Sequence, residues 1–156
     1  MTIDINGMAH VILTVSQFDK ARAFYSELLP AFGMTCVFDG DEFCYHVGAR
    51  TAIGIQPCEE EYGEERFVQR RVGLHHLCLR AKSREDVDRT AEKLKAMGAT
   101  IVRGPMEGTW APGYYYVVFE DPDGIRLEVN YVPGQGLLKE GESLNPTDGY
   151  GRPRES

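Results

Sequence analysis

Two histidines stand at matching places in two stretches of this chain that read alike. His10 opens His10-Val-Ile-Leu-Thr-Val, and a helical pattern then leads to Ala31-Phe-Gly-Met-Thr. His76 opens His76-Leu-Cys-Leu-Arg-Ala, and a helical pattern again leads to Ala96-Met-Gly-Ala-Thr. The copies lie about 66 residues apart. A repeat of this length implies two copies of one supersecondary unit, neither able to bury its apolar face alone. Imidazole is a common ligand of divalent ions, so histidines that meet their twins across a pseudo-symmetry axis can found a metal site.

Strand alternation decides which side chains share a surface with each histidine. On the first strand Val11, Leu13 and Val15 form an apolar set opposite His10, Ile12 and Thr14. After the connector, His75, Leu77 and Leu79 oppose His76, Cys78 and Arg80. Further on, Leu127, Val129 and Tyr131 oppose Arg126, Glu128 and Asn130, and Ile53 and Ile55 oppose Ala52, Gly54 and Gln56. If these strands share a curved sheet, one face collects His10, His76, Glu128, Gln56, Thr14, Arg80, Arg126 and Asn130. Two imidazoles and a carboxylate have the composition of a divalent-metal pocket. A solvated polar face is the other reading, since antiparallel sheets often keep one wet side. On this alternation His75 faces the helix layer as a packed histidine; His46, which has no partner position, reads as structural.

The elements that would position these groups follow the repeat. Residues 8–15 alternate as a strand, and Ser16 is placed to cap a helix with Asp19 three residues on. Phe18, Ala21, Tyr25 and Leu28 recur at helical spacing, and Pro30 and Gly33 end the helix. Strand patterns follow at 34–38, 42–47 and 51–56. The second copy has a strand over 73–81 and a helix capped by Ser83, with Val87, Ala91 and Leu94 inward and Gly98 closing it. Its later strands fall near 100–103, 114–119 and 126–131. The expected fold is α+β: two βαβββ modules forming a cupped half-barrel sheet with the helices outside. Residues 1–57 form the first module, 58–72 a charged connector, 73–132 the second module and 133–156 a flexible or arm-like tail.

Length and composition restrict the rest. The 156 residues suit one domain or two half-domains sharing a core. A net charge of -7 argues against nucleic acid, which needs a basic patch. No apolar run approaches the roughly 20 residues that cross a bilayer, and the N-terminus lacks a signal-peptide pattern, so the expected compartment is the cytoplasm. Cys36, Cys44, Cys58 and Cys78 show no C-x-x-C spacing and read as free thiols in packing roles. Edge strands and cupped faces predict a homodimer.

One turn is more specific than any of this. Phe119-Glu-Asp-Pro-Asp-Gly-Ile-Arg-Leu-Glu128 has Pro122 and Gly124 for the turn and a glutamate four residues after the glycine. With the two histidine strands and the Ala23-Phe-Tyr-Ser-Glu-Leu-Leu helix before Phe32-Gly-Met, the chain resembles the vicinal oxygen chelate superfamily over residues 8–132. That superfamily includes glyoxalase I, extradiol dioxygenases, fosfomycin-resistance proteins, methylmalonyl-CoA epimerase and bleomycin-binding proteins. The resemblance implies one divalent ion (Zn, Ni, Mn, Fe or Co) at His10, His76 and Glu128. The fourth family position falls on Gly54, or on Gln56 if the strand is shifted by two residues.

The implied function is that of a metal-dependent, glyoxalase-like lyase or isomerase. Its ion would chelate vicinal oxygens of a small substrate and stabilise an enediolate or oxyanion, with Glu128 catalytic. Gln56, Tyr114, Tyr116, Arg80, Arg126 and Asn130 would contact the substrate, and Trp110-Ala-Pro-Gly would form a loop over the cavity mouth. Extradiol dioxygenase or thiol transferase chemistry is the alternative within the superfamily. The family's dioxygenases carry a tyrosine three residues before the Asp-Pro turn, where this chain has Val118. The alternative of a different class is a non-catalytic drug-sequestering protein, as in bleomycin binding.

Overall fold

The computed structural model describes residues 2–48 and 50–144. The chain divides into two units: residues up to Val68 together with the turn Asp121–Ile125, and Gln69–Glu120 together with the chain from Arg126 onward.

In the first unit, β1 (His10–Val15) leads into α1 (Phe18–Ala31), followed by β2 (Thr35–Asp39), β3 (Cys44–Gly48) and β4 (Thr51–Pro57). The strands lie in the order β1-β4-β3-β2, with β1 parallel to β4 and the remaining pairs antiparallel. Leu13 and Val15 point to the same side as Ile53 and Ile55, and there they meet Ala21, Tyr25, Leu28 and Leu29 of α1, all buried. The alternation read from sequence is what makes this possible: one strand face is apolar, and one helix stripe matches it.

The second unit repeats the plan. Here β5 (Leu77–Arg80), α2 (Arg84–Ala96), β6 (Thr100–Glu107), β7 (Tyr115–Glu120) and β8 (Arg126–Tyr131) give the sheet order β5-β8-β7-β6. Val87, Ala91 and Leu94 of α2 are at most 2% exposed. Truncating Leu94 to alanine should cost about 2–5 kcal/mol by leaving a cavity. Both sheets are four-stranded and mixed, and neither closes on itself. The α+β class and the paired βαβββ order are therefore as expected. No helix among the described residues is long and apolar enough to cross a membrane.

Three local expectations are corrected and one cap is borne out. Ser16 does not cap α1: Gln17 is the N-cap residue and supplies no side-chain bond. The Ser16 backbone N–H and hydroxyl both donate to the Asp123 carboxylate instead, which tethers the end of β1 to the Asp121–Ile125 turn. Ser83 does cap α2, accepting from the Asp86 N–H at 3.1 Å. The strand expected over 73–81 begins only at Leu77, so His75 and His76 lie in the loop before it and alternation does not govern them. Finally, β6 runs on to Glu107 through two register shifts against β7.

The turn Asp121–Ile125 is held from inside. One oxygen of Asp121 accepts the backbone N–H groups of Asp123 and Ile125, and the other accepts the Tyr25 hydroxyl at 2.9 Å. Gly124 sits at φ 82°, a left-handed conformation that favours glycine. Burial pushes the Asp121 carboxyl up to about 6, against the bonds that favour its charge.

Candidate metal and substrate site

Glu128 lies in the middle of β8, opposite Cys78 on β5 and Val118 on β7. It is 8% exposed. Its Oε2 stands 3.5 Å from Nε2 of His76, and its Oε1 accepts a hydrogen bond from the Tyr114 hydroxyl. Two donors on one zinc-like ion, each at about 2.0–2.2 Å, stand roughly 3–3.5 Å apart. The spacing and donor types of His76 and Glu128 thus fit a shared divalent ion.

The other ring nitrogen of His76 is engaged. Its Nδ1 lies 2.8 Å from Nδ1 of His75, which in turn lies 3.3 Å from the Gln69 amide nitrogen. His75 was expected to pack against the helix layer. It lines the same cavity as His76 instead, because both precede the strand. Burial, then the neighbouring His76, Arg70 and Arg126, hold His75 below the usual histidine range. Nδ1 of His75 can accept a hydrogen bond from Nδ1–H of His76, which leaves Nε2 of His76 free for a ligand.

This pair opens into a cavity of about 610 Å³ within the second unit. Of the sequence-predicted contacts, Tyr114, Tyr116, Arg80, Arg126 and Asn130 line it. The alternation along β8 explains why Arg126, Glu128 and Asn130 share its wall. Trp110 and Ala111 line it as the expected loop. His10 and Gln56 belong to the first unit, on β1 and β4; both are exposed, and Gln56 donates to the Thr14 hydroxyl at 3.1 Å.

Sequence reasoning missed several walls. Arg70 comes from the connector, and Arg103 comes from a bulged part of β6 where alternation fails. Cys78 pairs with Glu128 across β5 and β8 and is not among the residues that line the cavity. Burial, and then the Glu128 charge, push its thiol well above the ordinary range. The start of the tail, with Leu137, Leu138 and Leu144, lies against the cavity as an arm. The rest of the expected tail, from residue 145, lies outside the described residues.

Charge is unevenly distributed here. Arg70, Arg80, Arg103 and Arg126 face a space in which Glu128 is the one carboxylate among the lining residues. Arg126 donates to Glu120 at 2.9 Å, while its buried Nε has no hydrogen-bond partner among the described residues. Burial, reinforced by the bond to Glu128, pushes the Tyr114 phenol well above the ordinary tyrosine range, so it keeps its proton.

The second βαβββ unit thus carries a histidine–glutamate pair on its open sheet face, inside an arginine-rich cavity. The chain belongs to the Glyoxalase/Bleomycin resistance protein/Dioxygenase superfamily, whose family model matches residues 7–129. Among its relatives, the uncharacterized protein YqjT of Bacillus subtilis is 32% identical over 125 residues, covering 78% of this chain and 96% of its own length. The virulence protein STM3117 of Salmonella typhimurium is 32% identical over 127 residues, covering 81% of this chain and 84% of its own. A crystal structure assigned to the glyoxalases, from Bacillus halodurans, superposes with a TM-score of 0.73 at 29% identity, covering 81% of this chain and 96% of that one.

Proposed function

We propose that this protein is a metal-dependent lyase or isomerase of the glyoxalase type, acting on a small anionic substrate with two adjacent oxygens. The observation that carries the reading is the 3.5 Å approach of His76 Nε2 to Glu128 Oε2 inside the cavity. His76 and Glu128 would hold the ion. His10 enters as the third ligand through the family resemblance alone, and Gln56 as a contact on the same ground. When bound, the ion would act as a Lewis acid toward the two substrate oxygens.

The chain's own groups divide the remaining work. The two oxygens of Glu128 face different partners, so Oε2 is the ligating atom and Oε1 the basic one. Tyr114, protonated and bonded to Oε1, holds a proton where a base and an acid must exchange one. The arginines neutralise substrate charge in a space bordered by Trp110 and the leucines of the tail. Arg126, with an unsatisfied buried N–H, gains a partner when an anion enters.

The test is to strip the full chain of metal and reload it separately with Zn, Ni, Mn, Fe and Co. Each form is screened against thiol adducts of 2-oxoaldehydes, catechols and acyl-CoA epimers. Metal-dependent turnover that disappears in Glu128→Gln supports the reading. Failure to bind any of the five ions overturns it, and tight ligand binding without metal or turnover would place the protein among the sequestering members.

The same reading includes a homodimer. The first sheet exposes Ile12, Phe38 and Val47, each 39% exposed or more, on the face turned away from α1. Apolar groups gathered in this way favour a covering partner. Sedimentation at micromolar concentration should give the dimer mass, and a monomer would rule it out.

A further inference from the structure

We propose a second metal site, for a thiophilic ion of the zinc class, at Cys36, Cys44 and His46 in the first unit. The β2–β3 hairpin assembles it. Cys44 and His46 are two residues apart on β3 and so share one face, and Cys36 on β2 stands directly opposite His46. One ligand atom from each lies within 4.8 Å of the others. The Cys44 Sγ to His46 Nδ1 separation is 3.7 Å. An ion about 2.3 Å from sulfur and about 2.0–2.1 Å from nitrogen in tetrahedral geometry places those atoms roughly 3.6 Å apart.

A second observation concerns His46 itself. It is 1% exposed, beneath α1, and its Nε2 has no hydrogen-bond partner among the described residues. Its Nδ1 faces only the weak donor and acceptor of a thiol. A metal bond at Nδ1 would replace that weak contact with a strong one, with Nε2 then carrying the ring proton. Cys44 is equally buried, whereas Cys36 is exposed, so the cluster has an apolar wall and one open side. That side admits the ion and leaves a fourth position for water. The Arg22–Asp39 ion pair, at 2.6 Å, sits at the end of the same hairpin, with Asp39 opposite Cys44. It links α1 to β2. The donor set differs in kind from that of His76 and Glu128: two sulfurs select soft ions, and an imidazole with a carboxylate does not.

Cobalt(II) distinguishes the two sites, because only thiolate ligands give a thiolate-to-cobalt charge-transfer absorption. The full chain is reduced, freed of metal and titrated with cobalt(II) without oxygen, and zinc is then used to displace it. The wild type, His76→Ala and Cys78→Ser should all show the band. Cys36→Ser, a change at an exposed position, should lose it while keeping the wild-type circular dichroism. Zinc should also protect Cys36 from alkylation in the wild type. No band in the wild type, a band that survives Cys36→Ser, or one that vanishes in Cys78→Ser would each overturn the proposal. None of these outcomes depends on the ion proposed at His76 and Glu128.

Discussion

Nδ1 of His75 lies 2.8 Å from Nδ1 of His76, so these adjacent imidazoles cannot both present a lone pair at that contact. One must donate to the other. The Gln69 amide nitrogen, itself a donor, lies 3.3 Å from the same His75 Nδ1, so that atom accepts, His76 donates, and Nε2 of His76 is directed toward Glu128. Orienting partners of this kind commonly set the affinity of a metal ligand as well as its tautomer.

His75→Ala should therefore weaken metal binding by about 10–100-fold, while His76→Ala should abolish binding at this site. Competition against a chromogenic chelator measures both. A His75→Ala protein with wild-type affinity would show that the contact does not orient the ligand.

The difference between these two neighbours was not legible in the sequence. Alternation placed His76 on the functional face and His75 on the packed face, a distinction that holds only inside a strand. Because β5 starts at Leu77, the loop before it is free to bring both rings into one cavity. Where strands are regular the reading transferred: Arg126, Glu128 and Asn130 share a wall because β8 is unbroken between them. It failed again at Arg103, where the bulge in β6 moves a side chain that period-two counting cannot follow. Cys36 and the Cys44–His46 pair came together through hairpin register, which local cysteine spacing does not reveal.

Tyr114→Phe removes the proton held against Glu128 and leaves the ring in the cavity wall. The expected result is a loss of about 10²–10⁴ in kcat with metal content unchanged, the range for a positioned acid. Because burial and Glu128 raise its pKa, Tyr114 should not ionise in the ordinary tyrosine range, and the alkaline limb of the wild-type pH profile should not come from it. Stopped-flow or steady-state profiles of the two proteins decide this.

Asp121 should make stability depend on pH in the direction opposite to that of a salt-bridged aspartate. Its folded pKa of about 6 lies above its ordinary 3.8, so the folded state binds the proton more tightly. The stabilisation from protonation is fully present below pH 3.8 and is lost as pH rises through 6. The size is of order 3 kcal/mol for a carboxyl this buried. Denaturant melts of the wild type and Asp121→Asn at matched pH cancel the other titrating groups. The wild type should gain on the variant as pH falls from 7 to 4. A constant difference would mean that the carboxyl is not perturbed.

Arg80 tests whether the cavity selects an anion. It is an exposed cation lining the cavity, opposite Asn130 in the β5–β8 pairing. Removing it should leave the fold and the metal unchanged. If the substrate is bound by its charge, Arg80→Ala should raise KM about 10-fold, equivalent to about 1.4 kcal/mol, with kcat nearly constant. Uniform binding is lost in that case, not an interaction confined to the transition state. Arg80→Lys should restore most of the loss, since it replaces the charge though not the planar fork. Added salt should weaken wild-type binding more than that of Arg80→Ala, because an exposed charge is screened over about 8–10 Å at ordinary ionic strength. Equal KM values and equal salt dependence in the wild type and Arg80→Ala would mean that substrate charge is read elsewhere in the cavity or not at all.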